Sequence, residues 1–424
     1  MESNREERVR RSTRLHLAME VGNTLKKIEE EFPDNPESMR YFYDFFRNYY
    51  SFDKFQVPRK PVIGTMCVQV PDEIIYAAGA LPMRICCGLS TCDQVGAEFM
   101  PSKSCPLVKA TTGNLSANRN IFSKYLSAIV VPATCDQKRK SAETLEAMGY
   151  RVIVLEMPLA GAGELADHYW HESVKSLAGK LEKITGRKIT SRELQKNIAL
   201  VGRASVAFRE LYELRKSHPP VIAGKDALVV NNAYFLDDID RWTDAVTKLN
   251  RELAERKRSA ATVTFRHAPR ILFTGSPPVF PNLKIPLLLE QSGAVIVADE
   301  VCSSSRLLHE TVTYDEPRLY DMIPAIADRY LKSCTCPCFT PNENRGRRLL
   351  AASREFHVDG VVYQAFSGCI PYEMEQKKIN DLLADKGVPM LYVETDYSPE
   401  DQGQLSTRIE AFIESIKARN RKAC

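Results

Sequence analysis

The stretch Tyr125-Leu-Ser-Ala-Ile-Val-Val-Pro-Ala-Thr-Cys135-Asp-Gln-Lys-Arg-Lys140 decides the fold class. Its apolar run, Ala128 to Val131, has no polar alternation, so as a strand it must be covered on both faces. Pro132 closes the run, and a cysteine follows in the turn before a charged segment. Further short strands are read at Val62 to Cys67, Leu81 to Cys86 and Arg151 to Leu155. Between these strands, Pro71-Asp-Glu-Ile-Ile-Tyr-Ala-Ala starts a helix with proline and acids in its first turn. A second helix, Ala142 to Met148, stops at Gly149. A later series repeats the scheme, with strands at Arg270 to Gly275, Ala294 to Ala298, Gly360 to Tyr363 and Met390 to Val393. Helices near Leu283 to Gln291, Tyr320 to Leu331 and Met374 to Asp385 connect them. Buried strands alternating with helices specify α/β modules with parallel sheets, whose ligands bind beyond the carboxyl ends of the strands.

Outside these series the chain reads as helical. Phe42, Phe45, Phe46 and Tyr49 form one aromatic face near the start, which is expected to pack on the next domain. Ala204 to Arg215 and Ile239 to Arg258 are long amphipathic stretches separated by Pro219-Pro220. The expected division is a helical segment 1–58, α/β domain one 59–160, a helical segment 161–266 and α/β domain two 267–424. With 44% hydrophobic and 26% charged residues over 424 positions, disorder, collagen and coiled coil are excluded. Lys plus Arg total 58 against 54 Asp plus Glu, and a net charge of +4 is too balanced for nucleic-acid binding by bulk charge. No apolar run approaches the roughly 20 residues needed to span a bilayer. The charged start Met1-Glu-Ser-Asn-Arg-Glu-Glu-Arg lacks a secretory core, so a cytoplasmic protein is expected.

The 12 cysteines carry the chemistry. Thiols in a reducing compartment are not expected to pair as structural disulfides. They fall in two groups: Cys67, Cys86, Cys87, Cys92, Cys105 and Cys135, then Cys302, Cys334, Cys336, Cys338 and Cys369, with Cys424 alone. Cys67, Cys135, Cys302 and Cys369 follow strands, and Cys105 precedes a helix, where N–H groups favour a thiolate. Cys334-Thr-Cys-Pro-Cys338 lies in a loop. All are compatible with one cleft between the modules. Cys86 and Cys87 read as small buried hydrophobes, and Cys92 and Cys424 as incidental. Paired zinc spacing is lacking, and none of the 7 histidines pairs near the thiols except His309 and His357, loosely. Ligand chemistry alone favours a cubane iron–sulfur cluster over zinc or mostly unligated thiols.

Taken in order, several segments resemble the 2-hydroxyacyl-CoA dehydratase and benzoyl-CoA reductase family, most closely its double-cubane cluster branch. They are Pro61-Val-Ile-Gly-Thr-Met-Cys-Val-Gln-Val-Pro-Asp-Glu, Cys105-Pro-Leu-Val-Lys, Thr134-Cys-Asp-Gln-Lys, Cys336-Pro-Cys-Phe-Thr-Pro-Asn and Gly368-Cys-Ile-Pro-Tyr-Glu. Glu394-Thr-Asp-Tyr-Ser and Gly403-Gln-Leu-Ser-Thr-Arg close the series. The resemblance implies two flavodoxin-like domains with a cluster in the interdomain cleft, a homodimer, and a separate ATP-hydrolysing activator carrying its own 4Fe-4S cluster. In dehydratase subunits three cysteines hold one 4Fe-4S cubane, here Cys105, Cys135 and Cys369. A double-cubane Fe8S9 cluster needs six, adding Cys67, Cys336 and Cys338, with Cys334 and Cys302 in reserve. Some relatives carry another Cys-Pro between the Cys105 and Cys135 motifs, whereas residues 106–134 hold no cysteine.

The chain has no Gly-x4-Gly-Lys-Ser/Thr phosphate loop, so ATP hydrolysis is assigned to the activator. Thr274-Gly-Ser-Pro reads as an ordinary α/β turn. The expected activity is reduction of a small molecule. The alternatives are a 2-hydroxyacyl-CoA dehydratase subunit and an electron-transfer protein without turnover. Lys109 and Glu373 are candidate proton donors. They lie beside ligand motifs with Lys138 and Arg139, and each can equally be a solvated or paired surface charge.

Overall fold

The computed structural model describes residues 4–51, 59–118, 125–264, 267–308 and 310–423. His309, Cys424 and residues 52–58 of the first helical segment lie outside the described residues.

Among the described residues, eight strands form two separate four-stranded sheets. In the first, β1 (Val62–Thr65), β2 (Leu81–Arg84), β3 (Leu126–Pro132) and β4 (Val152–Leu155) are ordered β2-β1-β3-β4. In the second, β5 (Arg270–Gly275), β6 (Val295–Glu300), β7 (Gly360–Phe366) and β8 (Met390–Thr395) are ordered β6-β5-β7-β8. All pairings are parallel. Both modules are therefore flavodoxin-like α/β units of one topology. The unbroken apolar runs explain this, because every residue of β1, β5, β6 and β7 is buried and only helices on both sheet faces can cover them. Each order reverses beside the first strand, so the switch points lie between β1 and β3 and between β5 and β7.

The helical segments tie the modules together. Trp170 and Trp242 are fully buried, and their indole N–H groups donate to Ala327 O and Val230 O, both at 2.8 Å. The helix Gly224–Tyr234 is buried at all 11 positions. On the helix Arg40–Tyr50, Phe42 and Phe46 are buried while Phe45 and Tyr49 are half-buried. Phe46 stacks on Phe280 with ring centroids 3.9 Å apart, so this helix packs on the second module and not simply on its sequence neighbour. The helix expected from Ala142 begins at Asp136. Its polar first turns, Asp136 to Lys140, concealed it from a reading based on apolar periodicity.

Candidate metal centre

The two switch points face one another. Beyond β1 comes the buried turn Met66 to Val70, and beyond β3 come Thr134 and Cys135. Beyond β5 come Ser276 and Pro277, and beyond β7 come Gly368 and Cys369. These segments bound a cavity of about 400 Å³ lined by Cys67, Cys105, Cys135, Cys302, Cys334, Cys336, Cys338 and Cys369. That volume lies within the range of small-molecule and cofactor sites, about 300–1,000 Å³. Cys86, Cys87 and Cys92 do not line it. The eight thiols span both modules.

Cys105, Cys135 and Cys369 are the N-cap residues of the helices Pro106–Ala117, Asp136–Ala147 and Ile370–Ala384. Pro106 and Pro371 occupy first-turn positions, where a missing N–H costs nothing. Backbone amides of those turns also act on the sulfurs and favour their charged form: Leu107 and Val108 at Cys105, Lys138 at Cys135, Tyr372 at Cys369. Three helix N-termini thus direct their positive ends at one place, which favours thiolates. A hydrogen bond from Cys369 to Cys105 pulls the Cys105 thiol down despite burial. Cys369, the donor, is pushed up by that bond and by burial.

Gln137 holds this set together. Its Oε1 accepts from the Cys105 backbone N–H at 2.7 Å, and its Nε2 donates to Gly368 O at 2.8 Å. One side chain therefore links both modules at the three N-caps. Gly368 makes the approach possible, since it has φ +80° and a Cβ there would lie 2.1 Å from Lys103 O.

The second set is organised differently. Cys334, Cys336 and Cys338 follow the helix Leu319–Lys332 in an irregular loop. The Cys336 N–H donates to Cys334 Sγ at 3.4 Å, and Asn342 Nδ2 donates to Cys336 O at 2.8 Å. The hydrogen bond from Cys338, followed by the Arg306 charge, outweighs burial and lowers Cys336 to about 6. Behind the loop, the buried Glu300 carboxylate at the end of β6 accepts from Arg306 at 2.6 and 2.8 Å and from Arg345 at 2.7 Å. It also accepts from Thr274 Oγ1 at 2.9 Å and from the hydroxyl of Thr335, inside the cysteine loop. The Thr274 turn is thus spent on internal bonding.

Two cations face the thiols. Burial opposes the charge on Lys138, but the surrounding Cys67, Cys135, Cys86 and Cys302 raise its pKa above the ordinary value. Arg306 is likewise opposed by burial and held well above its ordinary value by Glu300, Tyr372, Cys336 and Cys302. Burial pushes the Cys302 thiol up to about 12.

Lys109 and Glu373 do not line the cavity. Lys109 is buried, 3.3 Å from Asp93 Oδ2, and donates to Ser102 O at 3.1 Å, so it is paired but not at the surface. Glu373 accepts from the Gly368 N–H at 2.6 Å and braces the turn that carries Cys369. Arg139 is an exposed partner of Glu156 at 3.5 Å. Sequence reasoning does not single out Gln137, Glu300, Arg306, Thr335 or Arg345. Only Gln137 carries a usable signal, standing two positions after Cys135 at a helix start. Among the described residues, no group of three or more His, Cys, Asp or Glu is gathered as for a single metal ion. No helix among them is long and apolar enough to cross a membrane.

The chain matches the family model of the 2-hydroxyglutaryl-CoA dehydratase D-component over residues 67–416. It is 30% identical over 361 residues to YjiM of Escherichia coli (strain K12), named as a dehydratase subunit, covering 84% of this chain and 91% of that protein. It is 26% identical over 376 residues to the beta subunit of (R)-2-hydroxyglutaryl-CoA dehydratase of Acidaminococcus fermentans, covering 86% and 94%. A benzoyl-CoA reductase subunit of Thauera aromatica is 26% identical over 368 residues, covering 85% and 92%.

Proposed function

Because the chain belongs to the 2-hydroxyacyl-CoA dehydratase and benzoyl-CoA reductase family, we propose that it is an iron–sulfur reductase of small molecules, holding a double-cubane Fe8S9 cluster. Its low-potential electrons would come from an ATP-hydrolysing 4Fe-4S activator. The carrying observation is the gathering of eight thiols from both modules around one cavity. A single cubane with an open iron needs three, and a lone zinc four. Cys105, Cys135 and Cys369 would hold one cubane and Cys67, Cys336 and Cys338 the other, with Cys334 and Cys302 in reserve.

The donor set fits such a group. Soft thiolates are its usual ligands, and the three helix N-termini, Lys138 and Arg306 offset negative charge in a buried site. When bound, the cluster supplies one-electron reduction of a substrate at its edge. The protein's own residues do the rest. Val68, Leu107, Val108 and Phe366 keep the walls apolar and exclude water. Ile370 and Met374, 55% and 77% exposed, mark the mouth through which a substrate enters. Thiols kept reduced for ligation suit the cytoplasm. The same reading gives a homodimer, which light scattering checks.

A second reading has one specific support. The N-cap set is self-contained, and relatives are named as dehydratase subunits. A 2-hydroxyacyl-CoA dehydratase subunit with one 4Fe-4S cluster would need only that set. Iron and sulfide quantitation after anaerobic purification separates the two: about eight iron per chain supports the first, about four the second. A chain that binds no iron refutes both.

A further inference from the structure

The turn between β1 and the helix Asp72–Ala77 runs Met66-Cys-Val-Gln-Val-Pro71 and is buried at every position. Gln69 is 1% exposed and lines the thiol cavity, yet neither Oε1 nor Nε2 has a hydrogen-bond partner. It is the one described side chain that leaves two polar atoms in that state. A buried unpaired polar atom is destabilising, and native proteins seldom leave one without a reason. Packing gives no reason. Gln69 sits between Val68 and Val70, where a methionine would fill a similar volume with no amide to desolvate. The missing partner therefore belongs to whatever fills the cavity.

We propose that the Gln69 carboxamide donates its N–H to a sulfur of the cluster, making Gln69 a positioning residue that sets the reduction potential. This rests on the iron–sulfur reading above. Thiolate and sulfide sulfurs accept hydrogen bonds but do not donate them, so the amide nitrogen is the group they recruit. A donor to sulfur stabilises the more negative, reduced cluster more than the oxidised one, and such bonds are a main control on cluster potential. The position fits, since Gln69 is two residues from Cys67 in the turn beyond the first strand of a switch point.

The test uses anaerobically purified, cluster-loaded wild type, Gln69→Met and Gln69→Glu, with iron per chain and an EPR-monitored redox titration as readouts. Gln69→Met keeps the volume and loses the donor. Gln69→Glu keeps the shape and, titrated at a pH alkaline enough to ionise its buried carboxyl, loses the donor and adds negative charge. Both variants are expected to retain wild-type iron. At the wild-type midpoint, the reduced-to-oxidised ratio should fall about tenfold in Gln69→Met, equivalent to about 59 mV for a one-electron couple. It should fall further in Gln69→Glu. Loss of iron in Gln69→Met leaves the near-isosteric Gln69→Glu as the deciding variant. Iron-replete variants that titrate at the wild-type midpoint would overturn the assignment and leave the iron–sulfur reading standing. A wild type without iron overturns that reading, and the Gln69 assignment with it.

Discussion

Two sets of cysteines share one cavity but are held by different physics. Cys105, Cys135 and Cys369 sit at helix starts, where backbone amides and helix dipoles serve the sulfurs directly. Cys334, Cys336 and Cys338 sit on a loop with no helix start beneath them, where the Cys336 N–H serves Cys334 Sγ and a buried ion network around Glu300 holds the loop. The first set depends on local geometry and on one inter-module clamp, Gln137. The second depends on tertiary electrostatics and carries spare thiols. The contrast says where each set should be fragile.

The largest difference is expected from removing a ligand. Cys135→Ala should drop iron below about half of the wild-type content, because the N-cap set has no substitute thiol. Cys336→Ala should lose less, since Cys334 and Cys302 line the same cavity. Equal losses, measured by iron assay, would remove the distinction between the sets. Next in size is Glu300→Gln, which leaves Arg306 and Arg345 buried without their shared carboxylate. Breaking a buried pair costs about 3–5 kcal/mol, and anaerobic chemical denaturation should read a loss of that order.

Gln137→Ala should weaken iron retention about 10- to 100-fold, as outer partners of metal ligands do. Chelator challenge measures it, and a release rate equal to wild type would show that the clamp is dispensable. The smallest effect belongs to Arg139→Ala, on the same helix but exposed and away from the cavity. Its pair with Glu156 is worth about 0–1 kcal/mol, and iron content should not change. A large effect there would mean that the whole helix start, and not its cavity-facing residues, governs the site.

Much of this architecture is readable in the chain. Ala128 to Val131 and Ile271 to Phe273 are so continuously apolar that only two-sided burial accommodates them, which forces a parallel sheet. A cysteine directly after such a strand then lies at the sheet's ligand-binding edge. The boundaries drift where polar residues fill a first helical turn, as at Asp136 to Lys140. The supports are hidden for a related reason. Glu300 bonds Thr335, 35 positions later, and Arg345, 45 positions later. No local pattern marks a charge that will be buried against a distant one. Gln69 is hidden too, because only the fold shows that an amide amid valines has no partner.

The central claim is that thiolates from both modules close on one iron–sulfur group where the two switch points meet. Diffraction at the iron absorption edge from anaerobically grown crystals tests it most directly. The anomalous density should lie in the single cavity between Cys105, Cys135 and Cys369 on one side and Cys67, Cys336 and Cys338 on the other. Crystals of the intact protein with iron bound elsewhere, or with none in that cavity, would contradict it.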